Sequence, residues 1–115
     1  SNNLISKIKA EKISDKSLIK KIKLKKGTEA IILLDEKGEK VTTEKFKHLL
    51  FGTSFSKILF VLGGTDGFSE EIINLSNKQI SLSKMTLTHS FAAIILLEQI
   101  YRSVTIKINH PYHRA

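Results

Sequence analysis

The segment Asn109-His110-Pro111-Tyr112-His113-Arg114-Ala115 gathers two imidazoles, a phenol, a guanidinium and the only proline of the chain. Proline stiffens the backbone at position 111 and biases His110 towards extended conformations. An arginine such as Arg114 can fork onto a phosphate, and a tyrosine such as Tyr112 can stack on a base. His113 can exchange a proton near neutral pH. Chain ends are normally frayed and tolerant of change. A cluster of this chemistry there reads as the completion of an active site.

Two further stretches suit the binding of a small molecule. Gly63-Gly64-Thr65-Asp66-Gly67 follows an apolar run, Ile58 to Leu62. Glycines let backbone approach a ligand where a Cβ would intrude, and in an open parallel sheet the carboxyl ends of strands form the ligand crevice. The spacing is neither G-x-G-x-x-G nor a Walker loop with its Gly-Lys-Ser/Thr, which argues against nucleotide binding by those routes. Ser83-Lys84-Met85-Thr86-Leu87-Thr88 offers backbone amides, small hydroxyls and the apolar walls of Met85 and Leu87. That combination suits an adenine or a thioether better than a phosphate.

Other chemistries fit poorly. The four histidines, at 48, 89, 110 and 113, match no zinc spacing, and cysteine is absent. His48 is expected on a helix surface. No serine lies in a G-x-S-x-G elbow, so a hydrolase triad is unsupported. No metal is expected.

The elements that would hold these stretches follow from local patterns. Residues 4–13 alternate loosely, as an edge strand does. Ser14 or Asp15 caps a helix to about Lys26 whose Leu18, Ile19 and Ile22 share one face, with Gly27 just beyond it. Glu29–Leu34 is a continuous apolar run, the signature of a strand buried on both faces, and 35–40 reads as a turn or loop. Thr42 or Thr43 caps a short helix closed by Gly52. The run 58–62 is a second strand, and Ser69 caps a helix with Glu70 and Glu71 in its first turn. Gln79–Leu82 is a third strand. Thr88 caps the longest helix, about His89 to Ser103, expected to be largely buried through Phe91, Ile94, Ile95, Leu97 and Tyr101. Val104–Ile108 reads as strand-like. Strands alternating with helices imply a parallel α/β sheet in one domain.

The net charge of +8 is uneven: residues 1–28 hold nine lysines against Glu11 and Asp15, a balance of +7. A lysine-dense segment beside a near-neutral body is either an electrostatic footprint for a phosphate backbone or a solvated amphipathic helix. No apolar run approaches the roughly 20 residues of a membrane span. No membrane partner is expected, and the chain reads as soluble and cytoplasmic.

Taken in order, Leu62-Gly63-Gly64-Thr65-Asp66-Gly67, Ile80-Ser81-Leu82-Ser83-Lys84-Met85-Thr86-Leu87, His89, Glu98-Gln99-Ile100-Tyr101-Arg102 and Asn109-His110-Pro111-Tyr112-His113-Arg114 resemble the ribosomal RNA large-subunit methyltransferase H family. That family belongs to the SPOUT superfamily of knotted α/β methyltransferases. The resemblance runs from about Ala30 to the end, and its most specific part is the terminal His-Pro-Tyr-His-Arg. It implies a knotted parallel sheet with flanking helices and a C-terminal trefoil knot. It also implies S-adenosyl-L-methionine as cofactor and methylation of N3 of a pseudouridine in large-subunit ribosomal RNA, by a homodimer acting on the ribosome. On this resemblance the cofactor loops are Leu34, Gly63, Gly64 and Ser83, Lys84, Met85, Thr86, Leu87 and Thr88, while Tyr112, His113 and Arg114 face substrate.

The chain departs from the family in two places. Leu87-Thr88-His89-Ser90-Phe91-Ala92-Ala93 stands where the family has Leu-Pro-His-x-Leu-x-Arg, so Ala93 holds the arginine position. The family's opening strand and helix are also expected to be lacking before Ser1, leaving 1–115 as a single SPOUT-like domain. The alternative function is a non-catalytic ribosome- or RNA-binding relative.

Overall fold

A computed structural model describes residue 8 and residues 13–63, 66–83, 85 and 87–109. The element order is α1 (Asp15–Lys25), β1 (Ala30–Lys40), α2 (Thr43–Gly52), β2 (Ile58–Leu62), α3 (Glu70–Leu75), β3 (Lys78–Ser81) and α4 (His89–Lys107). All strand pairs are parallel, in the order β2-β1-β3. Most of the proposed edge strand at 4–13, and residues 110–115 that would thread the knot, lie outside the described residues.

Each helix starts where a hydroxyl can hold a free backbone amide. Ser14 accepts from the Ser17 amide, Thr42 from Lys45, Ser69 from Ile72 and Thr88 from Phe91. Gly27, at φ +92, takes the left-handed turn after α1 that a side chain would strain.

The sheet is covered on both faces, as the uninterrupted apolar run in β1 requires. Ile31 and Leu33 pack with Leu18, Ile22, Val61 and Ile72, beneath α1 and α3. Ile32 and Leu34 pack with Phe46, Ile80, Leu96 and Ile100, beneath α2 and α4. The Phe46 and Phe60 rings stack at 5.9 Å. Successive β1 residues thus feed opposite cores.

Three expectations are corrected. First, 35–40 is not a loop: β1 continues to Lys40. A register shift places both Leu34 and Glu39 opposite Ile80. Gly38 permits this, because its backbone passes so close to β3 that a Cβ would lie 2.7 Å from the Ile80 carbonyl carbon.

Second, Val104–Lys107 is helical. Extending an existing helix adds a hydrogen bond per residue without a nucleation cost, which outweighs the strand preference of Val104, Thr105 and Ile106. The Thr105 hydroxyl donates to the Arg102 carbonyl at 2.6 Å. The helix ends at Lys107, and Asn109, two residues on, takes φ +64.

Third, α4 is not largely buried. Leu96, Ile100, Ser103 and Thr105 are, but Phe91, Ile94, Leu97 and Tyr101 are exposed.

Ser103 is fully buried, and its Oγ has no hydrogen-bond partner among the described residues. Removing an unsatisfied buried hydroxyl relieves its desolvation cost, so Ser103→Ala should raise unfolding free energy by about 1 kcal/mol. Chemical denaturation checks this, and a destabilised variant would count against it.

Candidate active site

The carboxyl ends of the three parallel strands bring the expected loops side by side. β1 is central, and neighbouring strands lie roughly 4.8 Å apart. Leu34, where the apolar part of β1 gives way to its shifted continuation, lies beside Leu62 and Ile80 at one edge, with Gly63 directly after β2 and Ser83 two residues after β3. Leu34 is buried, and its carbonyl accepts from the Gly63 amide at 3.2 Å, fastening the glycine turn to β1. A Cβ on Gly63 would sit 2.7 Å from the Phe68 ring, so Gly63 and Phe68 pack where no further side chain fits. Gly67 has φ +73, the left-handed region that favours glycine. Gly64 lies outside the described residues.

The loop after β3 is organised by its own hydroxyls. Ser81 Oγ donates to the Ser83 carbonyl at 2.7 Å, and Ser83 Oγ accepts from the Met85 amide at 2.9 Å. Met85 is exposed, Leu87 is half-buried, and Thr88 turns the chain into α4. Lys84 and Thr86 lie outside the described residues. So do Tyr112, His113 and Arg114.

α4 leaves this loop carrying a polar chain on its flank. Thr43 Oγ1 donates to Gln99 Oε1 at 2.9 Å, and Gln99 Nε2 donates to Glu98 Oε1 at 3.0 Å. Arg102 Nη2 completes it with a 2.7 Å bond to Glu98 Oε2. A cavity of about 100 Å³ lies next to Thr43 and Gln99, walled by Leu82 and Ile95. A larger open groove of about 520 Å³ runs beside Ala30, Asn77 and Lys78 and along Glu39, Val41 and His48.

Sequence reasoning missed Asp35 and Gln79. Gln79 Nε2 donates to Asp35 Oδ2 at 2.8 Å, joining β3 to the middle of β1, where the register shift begins. The available signal was an acidic residue directly after an apolar strand, at the edge where ligands bind. His48 is exposed on α2 as expected, and His89 is exposed at the start of α4. Among the described residues, no group of three His, Cys, Asp or Glu side chains is placed to hold a metal ion. No helix among them is long and apolar enough to cross a membrane.

A parallel α/β sheet with its loops gathered at one carboxyl edge defines a ligand-binding class in which the loops, more than the strands, choose the chemistry. The family model described as "Predicted SPOUT methyltransferase" matches residues 2–113, and the chain belongs to that family.

Among its relatives are proteins named ribosomal RNA large subunit methyltransferase H. The one from Dictyoglomus thermophilum is 46% identical over 112 residues, covering 95% of this chain and 69% of the relative. Those from Campylobacter lari and Prochlorococcus marinus are 49% and 44% identical, over 72% and 77% of this chain and 54% and 61% of theirs. The chain thus spans between about half and about two thirds of these relatives' lengths. Archaeoglobus fulgidus Nep1, solved bound to S-adenosylhomocysteine, superposes with a TM-score of 0.51 at 17% identity, over 73% of this chain and 37% of its own. That likeness is one of fold.

Proposed function

We propose that the protein is an S-adenosyl-L-methionine-dependent methyltransferase acting on N3 of a pseudouridine in large-subunit ribosomal RNA. The observation that carries this reading is the 46% identity across 95% of the chain to a protein named for ribosomal RNA methylation. S-adenosylhomocysteine, the molecule bound to Nep1, is the demethylated form of the proposed cofactor.

The residues at the carboxyl edge fit such a cofactor. Leu34 and Leu87 offer apolar walls, Gly63 brings backbone close, and the Ser83 loop supplies amides and hydroxyls. Gly64, Lys84, Met85, Thr86 and Thr88 complete the proposed binding set. When bound, the cofactor supplies a methyl group already activated on a sulfonium, so the protein's main task is positioning. Arg114 anchors an RNA phosphate, Tyr112 packs against the cofactor or the base, and His113 or water takes the N3 proton.

The flanks suit a large anionic partner. Lys23 pairs with Glu71 and Lys25 with Glu29, and Lys26 Nζ donates to the Leu75 carbonyl. Lys16 and Lys20 remain exposed on α1, where lysines strengthen phosphate contact in a salt-dependent way. The exposed row Phe91, Ile94, Leu97 and Tyr101 is an apolar stripe that a second copy would cover, in a cytoplasmic homodimer.

The test supplies labelled S-adenosyl-L-methionine and ribosomes lacking the modification. Wild-type protein should transfer methyl groups. Arg114→Ala should lose about a hundredfold in transfer rate while binding cofactor normally, because a charged clamp on substrate is removed. Full methylation by Arg114→Ala sinks that assignment. A non-catalytic ribosome-binding role is the second reading, favoured by Ala93 at the family's arginine position. Absence of both cofactor binding and methyl transfer favours it.

A further inference from the structure

We propose that the groove of about 520 Å³ beside α2 is a docking site for single-stranded RNA, stacking an unpaired base on Phe55 between phosphates held by Lys45 and Lys78. Lys45, His48, Leu49 and Gly52 line it from α2, and their i, i+3, i+4, i+7 spacing puts them on one face of that helix. Phe55 lines it beyond the helix end, and Asn77 and Lys78 line it from the start of β3. None of Leu34, Gly63, Ser83, Met85 and Leu87 does, so the groove is separate from the candidate cofactor site. Its volume lies within the roughly 300–1,000 Å³ of sites that take a small molecule.

The lining is apolar through Ala30, Ile32, Val41 and Leu49, while the polar groups around it are mostly donors. Asn77 Oδ1 accepts the Ile31 amide at 2.7 Å, and the Asn77 amide donates to the Ile31 carbonyl at 2.8 Å. That clasp fixes the side chain and leaves its Nδ2 without an acceptor among the described residues. The exposed Lys45 ammonium has no partner among them either. Glu39 is the one acidic side chain among the described lining residues, and it is engaged by Lys78 at 3.2 Å. The Thr53 hydroxyl accepts the Phe55 amide at 3.2 Å, which orders the loop that carries the ring.

An occupant must therefore bring acceptors and negative charge at its edges and a flat apolar face at its centre. A nucleotide of single-stranded RNA does so: phosphates for Lys45 and Lys78, a base carbonyl for Asn77 and a ring for Phe55. An acidic peptide matches the cations and leaves Phe55 with no ring to stack on. The net charge of +8 favours a polyanion. Gly52 keeps its end of the groove open, since a Cβ there meets nothing within 4 Å.

Docking of RNA stands on the groove alone, and only the identity of that RNA as ribosomal rests on the methyl-transfer reading. The first arm titrates the full chain, without a methyl donor, with a labelled single-stranded RNA of about 12 nucleotides. Phe55→Leu, which keeps apolar bulk and loses the flat ring, should weaken binding about tenfold, while Phe55→Tyr stays within about threefold of wild type. Lys45→Gln should lower the salt slope by about 0.7, the share of one phosphate on a single strand, and Lys45→Arg should restore it. Gly52→Leu suits the helix and fills the groove without touching a charge, so binding should fall about tenfold. Rescue by tyrosine and arginine separates lost binding from misfolding. Polyglutamate of matching charge should bind about tenfold more weakly than the RNA.

The second arm follows methyl transfer to ribosomes lacking the modification. Phe55→Leu should raise KM for ribosomes about tenfold and leave kcat within about twofold. Unchanged RNA affinity in Phe55→Leu and Gly52→Leu, or a wild-type protein that binds no RNA, overturns the docking site. Polyglutamate binding as tightly as RNA, with Phe55→Leu affecting neither, makes the groove a peptide site and also overturns it. If both variants lose RNA affinity and wild-type protein transfers no methyl group, the docking site stands and the methyl-transfer reading falls.

Discussion

Replacing Gly38 by Ala should cost the protein about 3 kcal/mol of unfolding free energy, the upper range for forcing an atom into packed structure. The added Cβ would lie 2.7 Å from both the nitrogen and the carbonyl carbon of Ile80, and 2.8 Å from the carbonyl carbon of Gln79. These are backbone atoms of β3 and cannot swing aside as a side chain would. Relief requires one of two movements. Residues 38–41 can lift away, losing the pairing of Glu39 and Lys40 with Ile80 and Ser81 and the bond from the Val41 amide to the Ser81 carbonyl. Alternatively β3 shifts and carries the Ser81–Ser83 turn with it, so cofactor affinity should fall together with stability.

Urea denaturation measures the first effect. Gly52→Ala is the control: a Cβ there meets nothing within 4 Å, and the residue closes α2. Helix propensity makes that exchange neutral or stabilising. If the two variants unfold at the same urea concentration, the close approach of Gly38 to β3 is wrong.

The contrast between these glycines shows what the sequence carried. Its helix caps and its first apolar run were faithful, while the β-branched run Val104–Ile106 was not. Ser14, Thr42, Ser69 and Thr88 announce helix starts because a short hydroxyl before an apolar period has one strong use. Ala30–Leu34 announces a strand covered on both faces because it is short, rich in isoleucine and leucine and bounded by polar and turn residues. The rest depends on partners far along the chain. Asp35 to Lys40 is polar and contains a glycine, so it has the composition of a loop. It pairs with β3 only through a register shift that its own residues do not encode.

The site divides in the same way. The placement of Gly63 and the Ser83 loop at the carboxyl edge was legible because each follows an apolar strand, where topology places ligands. Asp35 and Gln79 stand 44 residues apart and meet only because β1 and β3 are neighbours. No period or motif joins them. For Tyr112, His113 and Arg114 the resemblance remains the basis of the assignment.

The stripe on α4 shows a different limit, and it supports the second large effect. A helix apolar on most of its circumference must be covered, but the pattern does not say by whom. Here Leu96 and Ile100 face this chain's own core. Phe91, Ile94, Leu97 and Tyr101 remain 61%, 61%, 48% and 52% exposed. Ile94→Glu should therefore leave the single chain folded, since glutamate favours helix more than isoleucine does and the position is open to water. In a two-fold dimer the same change places an unpaired carboxylate in the interface twice, once from each copy. Burying an unpaired charge costs several kcal/mol, so association should weaken by about a thousandfold or more.

Sedimentation across a concentration series, with thermal unfolding of the same samples, separates the outcomes. Wild-type protein should run at twice the chain mass, and Ile94→Glu at the mass of one folded chain. A variant that still dimerises would move the interface off this face. A wild-type protein that stays monomeric at high concentration would remove the homodimer from the proposal and leave the stripe to another partner. If the variant is monomeric, folded and inactive on ribosomes, the α4 face acts by completing the methyl-transfer site and not by stabilising the chain.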